Sequence, residues 1–214
     1  MKFFYFTTLL LVLLNPKLNY SQTNLNSSSF EIGYGYNGAI IPYSGNNSNL
    51  SVSNMNHINV AFRYMFTEKV GLKLFYKSDN FVNFSKGRLG ISYKTIGTSI
   101  VYNVVKELGL NFITRDKFSV LTHIDGGVAF AFIKQKNNYE KLGVIGVGIT
   151  PIYSLTNKLA ITTDLTYNTT LKQHYGFDGV LLSSNYEPKS RNFYNFSLGL
   201  IIYLGENSYH SDWY

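Results

Sequence analysis

The chain has 214 residues, 45% of them hydrophobic, 16% aromatic and only 14% charged, with a formal net charge of +7. There are no cysteines, which excludes a disulfide framework, a thiolate metal site and a lipidated cysteine anchor. The Lys and Arg residues stand singly, with no basic run or basic helix. An anionic membrane surface or a solvated basic surface therefore explains the charge at least as well as nucleic acid, and no nucleic-acid partner is expected.

In chain order, Lys2 precedes an apolar run at 3–14 that Asn15-Pro16 ends, and Ser21 before Gln22 offers a small residue at a cleavage position. Residues 1–21 read as a secretory signal peptide, too short for a spanning helix. The polar stretch 22–29, QTNLNSSS, is expected to be disordered. No later apolar run reaches spanning-helix length, so any residence in a membrane has to be as a barrel.

From residue 30 the pattern has a period of two, the mark of strands with two unlike faces. A first strand at 30–41 puts Ile32, Tyr34, Tyr36 and Ile40 opposite Glu31, Gly33, Gly35 and Asn37. After the loop 42–54, strands at 55–66 and 70–77 flank the turn Thr67-Glu68-Lys69. Phe62, Tyr64, Phe66, Leu72, Leu74 and Tyr76 share one face of this hairpin. Asn59, Ala61, Arg63, Gly71, Lys73 and Lys77 share the other. After a polar loop at 78–88, strand 89–105 sets Ile96, Ile100 and Tyr102 against Thr95, Gly97, Ser99 and Asn103. Beyond the connection 106–117, strand 118–133 sets Ile124, Val128, Phe130 and Phe132 against His123, Asp125, Gly127, Ala129 and Ala131.

A charged loop is expected at 134–143. Strand 144–155 sets Ile145, Val147, Ile149 and Tyr153 against Gly146, Gly148 and Thr150. Pro151 cannot donate to a ladder and predicts a bulge there. The turn 156–158 leads to strand 159–171, where Ile161, Leu165 and Tyr167 oppose Ala160, Thr162, Asp164 and Asn168. The longest loop, 172–190, precedes strand 191–204. There Tyr194, Phe196, Leu198, Leu200 and Ile202 oppose Asn195, Ser197 and Gly199.

Eight strands, short turns alternating with long polar loops, and no helical segment predict an all-β, eight-stranded antiparallel up-and-down barrel at 30–205, with a tail at 206–214. Alternation alone does not say which face is inside. A soluble ligand-binding barrel needs Phe62, Leu74, Phe130 and Phe196 to point inward together. A transmembrane barrel needs them outward. Small residues on the polar face, aromatics recurring near strand ends, and the short-turn, long-loop alternation favour the transmembrane form.

In that form Tyr34, Tyr36, Phe62, Tyr64, Tyr76, Tyr102, Phe130, Tyr153, Tyr167, Tyr194 and Phe196 face lipid or form girdles. Glu31, Arg63, Lys73, His123, Asp125 and Asp164 point into the lumen. Arg63 and Lys73 are expected to pair with some of Glu31, Asp125 and Asp164, because buried charges persist only when paired. Such a network serves as a structural plug or as a gated ion path. Inward Gly and Ala favour an open path, and crossed salt bridges favour the plug.

The four histidines, His57, His123, His174 and His210, form no metal-spaced pair. His174 and Asp178 lie in the longest loop, but no Ser-His-acid motif accompanies them, so a polar loop contact is expected there. No enzyme activity and no cofactor is expected.

The INVAFRYMFTEKVGLKL hairpin, the QHYGFDG segment at 173–179 and the closing run SLGLIIYLGENSYHSDWY resemble the β-barrel domain of the OmpA-like outer-membrane proteins of Bacteroidetes-type bacteria. In that family a final strand ending Tyr-Leu-Gly is followed by His-x-Asp-Trp-Tyr, matched here by His210, Asp212, Trp213 and Tyr214. The resemblance implies an integral outer-membrane protein, monomeric, with outer-membrane lipid and the barrel assembly machinery as partners. Many relatives continue into a peptidoglycan-binding domain, and this sequence ends at Tyr214, so that role is not carried over. What it implies instead is a structural or surface-interaction role in the envelope. The alternatives are a narrow solute conduit and, third, a membrane-embedded enzyme.

Overall fold

The computed structural model describes residues 27–40, 53–83, 89–110, 117–133 and 138–204. Residues 1–26 and the tail with His210, Asp212, Trp213 and Tyr214 lie outside them. The strands are β1 Ser28–Ile40, β2 Ser53–Met65, β3 Val70–Asn83, β4 Leu89–Asn103, β5 Phe118–Ile133, β6 Asn138–Thr156, β7 Leu159–Gln173 and β8 Lys189–Tyr203. One helical turn, α1 Val104–Glu107, follows β4. Each strand pairs antiparallel with its chain neighbours, and β8 pairs with β1, so the sheet closes with no free edge.

The register fixes the stagger. A row of paired residues starts at Ser29 and runs through Arg63, Lys73, Ser99, Asp125, Gly146, Asn168 and Phe193. It returns to β1 at Ala39, ten residues further on (39 − 29). Such a stagger goes with strongly tilted strands, typically by about 35–45°.

Short turns occupy one end, and threonine hydroxyls hold two of them. Thr67 Oγ1 accepts from Val70 N at 3.0 Å and Lys69 N at 3.2 Å, and Thr156 Oγ1 accepts from Lys158 N at 3.2 Å. The third connection at this end, 104–117, is longer and begins with α1, whose Lys106 N–H donates to the Asn103 side chain at 3.2 Å. Ser28 and Tyr203 lie at this same end. The other, long-loop end carries the connections 41–52, 84–88, 134–137 and 174–188, of which the first and last are the long ones.

Several strands begin earlier or run longer than the sequence pattern indicates. Ser28 and Ser29, expected to be disordered, are buried residues of β1. β3 continues through residues 78–83, and β6 starts at Asn138 inside the expected charged loop. In these extensions polar or charged side chains (Ser78 and Asn80, Lys141) stand at outward positions, so the apolar alternation fades while the strand goes on. Pro151 produces no bulge. The pairing of β6 with β7 skips Thr150 and Pro151 and resumes in the same register, and the shift lies instead between Ser154 and Thr156. The Pro151 carbonyl is not left idle: Thr162 Oγ1 donates to it at 3.1 Å.

The faces are those of a barrel turned inside out relative to a soluble one. Phe62, Leu74 and Phe196 are exposed on the outer wall and Phe130 is half-buried there, so none of the four points inward. Ile100 and Ile124 are 63% and 61% exposed at mid-wall, while Arg63 in the lumen is 0% exposed.

Candidate functional site in the barrel lumen

The lumen is filled by side chains in three layers. At the short-turn end Val101, Leu121, Ile152, Ala160, Ile201 and Tyr203 form an apolar layer. At the long-loop end a second apolar cluster contains Phe81, Tyr93, Phe177 and Phe193, whose rings meet at centroid distances of 4.7–5.9 Å. Between these lies the charged layer.

Glu31 of β1 takes both expected cations: Arg63 Nε at 2.6 Å and Lys73 Nζ at 3.6 Å. Asp125 and Asp164 pair elsewhere. Lys77 Nζ reaches Asp125 Oδ2 at 2.7 Å and lies 4.7 Å from the centre of the Phe75 ring. His123 bridges the two carboxylates, Nδ1 to Asp125 at 2.7 Å and Nε2 to Asp164 at 3.1 Å. Asp164 also accepts from Thr150 Oγ1 at 2.8 Å and Thr166 Oγ1 at 2.6 Å. The six lumen charges expected from sequence thus all face inward and are buried.

The pattern missed a second group. Asp79 accepts from His57 Nδ1 at 2.7 Å and from Asn37 Nδ2 at 3.4 Å. Asn195, with its amide nitrogen turned to the carboxylate, donates at 3.2 Å. Lys77 stands on the inward face of the opening hairpin, and extending that alternation by one step reaches Asp79. A carboxylate only accepts, so His123 satisfies both neighbours when both ring nitrogens carry protons. The cations Arg63, Lys73, Lys77 and protonated His123 then balance the anions Glu31, Asp79, Asp125 and Asp164.

The inward glycines of β6 are occupied space. His123 is in register with Gly148 and Asp125 with Gly146. A Cβ on Gly148 would stand 2.5 Å from His123 Nε2, and one on Gly146 would stand 2.8 Å from Asn168 Oδ1. These positions are small because charged and amide side chains fill them, so small inward residues do not mark an open path.

The loop after β7 supplies part of the upper layer. Tyr175 and Phe177 are buried, and Tyr175 bridges to Leu181. Glu140 of β6 holds the base of this loop, accepting from His174 N at 3.2 Å, His174 Nδ1 at 3.1 Å and Tyr175 N at 3.4 Å. The His174 ring stacks on Tyr186 at 4.3 Å. Asp178 Oδ1 accepts from Val180 N at 3.1 Å. His174 and Asp178 therefore make the loop contacts expected of them, and QHYGFDG is the segment that tucks into the barrel mouth.

On the outer wall, Tyr64, Tyr102 and Tyr153 lie near the short-turn end, with Tyr64 on Phe66 at 5.4 Å. Tyr36 and Tyr194 lie near the other end, 6.1 Å apart, and Phe130 packs on Tyr139 at 6.3 Å. Tyr34, Phe62, Tyr76, Tyr167 and Phe196 are exposed on mid-strand. The Tyr34 hydroxyl reaches toward the long-loop end to donate to the Met55 carbonyl. Among the described residues no group of three or more His, Asp or Glu side chains is arranged to hold a metal ion.

No family model matches the chain, and no curated protein matches it in sequence. Solved structures do match in shape. Neisserial surface protein A aligns with a TM-score of 0.56 at 12% identity, covering 83% of this chain and 97% of that one. A major outer membrane protein of Thermus thermophilus gives 0.48 at 11% identity over 82% and 97%. The outer membrane protein OprG of Pseudomonas aeruginosa gives 0.45 at 11% identity over 83% and 97%. The first of these likenesses joins the strand order and register in one conclusion: the chain folds as a small closed antiparallel barrel of eight strands.

Proposed function

We propose that the protein is an integral outer-membrane barrel with a structural or surface-contact role in the cell envelope, its lumen a plug and not a passage. The observation that carries this is the distribution of side chains: an outer wall rich in exposed Ile, Leu, Val and aromatic residues around a lumen filled by paired charges between two apolar layers. A wall of exposed Ile, Leu, Val and aromatic side chains suits hydrocarbon and is costly in water.

In this reading residues 1–21 are an export signal, the wall meets outer-membrane lipid, and the barrel assembly machinery inserts the chain. The resemblance to the OmpA-like barrels of Bacteroidetes-type bacteria supplies the proposed family. The reading is non-enzymatic. It is supported by the engagement of His174 with Glu140 and Tyr186, and by the burial of His57 and His123 inside the lumen. A narrow conduit is the second reading, favoured by one observation: Tyr175 and Phe177 in the upper layer come from a loop, not from the wall.

Refolding the chain into lipid vesicles tests the first reading. The expected result is a heat-dependent shift on a denaturing gel and protease resistance of the strands only when lipid or detergent is present. A folded protein that stays dispersed in buffer alone, with no lipid dependence, would sink it.

A further inference from the structure

The outer wall is not uniform. Along the register of β4, β5 and β6, Lys94, Phe130 and Lys141 form one outward row. The next row toward the short-turn end is Ile96, Val128, Gly143 and Leu171. Gly143 stands in that row where its neighbours are large and apolar, and a Cβ there would touch Leu171 at 3.5 Å. The row after it contains Gly126, where an added Cβ would meet nothing within 4 Å. The missing side chain at Gly143 opens a groove of about 330 Å³ lined by Val128, Leu142, Gly143 and Leu171, with Lys141 and Lys172 at its margin.

Lys172 comes from a separate irregularity. The β7–β8 register shifts between Thr170 and Gln173, and Lys172 holds a φ of +59°, a conformation unfavourable for a residue with a Cβ. This places a second exposed lysine along the groove that Lys141 lines. Lys94 and Lys141 lie over Phe132 and Phe130, at 5.2 and 5.9 Å from the ring centres. No carboxylate among the described residues pairs with Lys94, Lys141 or Lys172. Glu140 is on the other face of β6, held by His174 and Tyr175.

Resting on the outer-membrane reading, we infer that this groove is a binding site for a lipid with an anionic, phosphate-bearing headgroup. The acyl chain lies in the notch at Gly143 and the phosphate lies against Lys141 and Lys172. The order of residues along the strands matches such a molecule from end to end: Lys141 and Lys172 stand nearer the long-loop rim, and the apolar cleft at Gly143 lies toward the middle of the wall. Cations paired with carboxylates would not select a headgroup, and among the described residues these are not so paired.

The test is native mass spectrometry of the full chain, folded in nonionic detergent and supplied with equal phosphatidylglycerol and phosphatidylcholine. The parent is expected to retain phosphatidylglycerol in preference by roughly thirtyfold, a scale set by two lysines at about 1 kcal/mol each near an anionic lipid surface. A Lys141→Gln/Lys172→Gln variant should lose the preference, and Gly143→Leu should retain less of either lipid. Lys69→Gln, at the short-turn end, should behave as the parent. Equal retention of the two lipids by the parent, or an unchanged preference in the double variant, would overturn the site alone. A parent chain with no heat-modifiable, lipid-dependent form would overturn the outer-membrane reading, and the site with it.

Discussion

The two ends of the lumen are closed by different means. At the short-turn end the apolar layer belongs wholly to the wall: Val101, Leu121, Ile152, Ala160, Ile201 and Tyr203 are all strand residues, so it opens only if the barrel itself comes apart. At the long-loop end, wall residues Phe81, Tyr93 and Phe193 meet Tyr175 and Phe177 from the loop after β7. That loop can leave without breaking a strand pair. Any passage through this protein therefore has its movable element at the long-loop end, and the charged layer beneath is what an ion would meet next.

The charged layer itself should give the largest effect. Arg63→Ala leaves Glu31 in the lumen with Lys73, at 3.6 Å, as its one cation among the described residues. Removing one partner of a buried pair costs about 3–5 kcal/mol. The urea midpoint of the vesicle-folded barrel should fall accordingly, and an unchanged midpoint would mean that the pair is solvated. Next come the two ends. Ile152→Ala and Phe177→Ala each remove a large buried side chain, for which about 2–5 kcal/mol is usual. The comparison predicts a split. Ile152→Ala should lower global stability, whereas Phe177→Ala should loosen amide-exchange protection in 174–188 and leave strand protection near that of the parent. Equal global losses would erase the distinction between the ends.

A smaller effect tests the packing around His123. Gly148→Ala places a methyl 2.5 Å from His123 Nε2 and 2.7 Å from the Leu165 carbonyl. Overpacking of this kind costs about 1–3 kcal/mol. If the midpoint does not move, the space beside His123 is open. The smallest effect lies outside the wall, where Lys69 Nζ meets Glu107 Oε2 at 2.9 Å on the surface. Hydrogen bonds from Tyr102 and then Lys69 hold the Glu107 carboxyl below its ordinary pKa, and the same contact raises Lys69. A depressed carboxyl contributes stability above its ordinary, unfolded pKa and loses it as pH falls through the lowered one. Glu107→Gln should therefore differ from the parent slightly at neutral pH, less in high salt, and not at all once Glu107 is protonated. A difference persisting in strong acid would assign it to another cause.

The middle of each strand was legible because hydrocarbon outside and packed polar groups inside impose opposite chemistry on successive residues. Strand 118–133 agrees to the residue with β5 for this reason. Legibility failed where strands extend beyond the apolar belt. Outward Ser78, Asn80 and Lys141 look like loop residues, and that hid Asp79, Phe81 and Glu140 on the inward side. The lumen charges could be placed on a face, but their partners follow from the ten-residue stagger, which no local pattern carries. That stagger allows Lys77 of β3 to reach across to Asp125 of β5, two strands away. Tyr175 and Phe177 could not be found from period, because they enter the lumen from a loop.

Whether the lumen is a plug is decided by ion conductance of the refolded protein in a planar lipid bilayer, with Arg63→Ala and Lys73→Ala beside the parent. A gel shift on heating first establishes that each barrel is folded. A plugged lumen gives a folded, inserted parent with no reproducible channel events. Stable conductance by the parent that changes in either variant would contradict it and make the charged layer a gate.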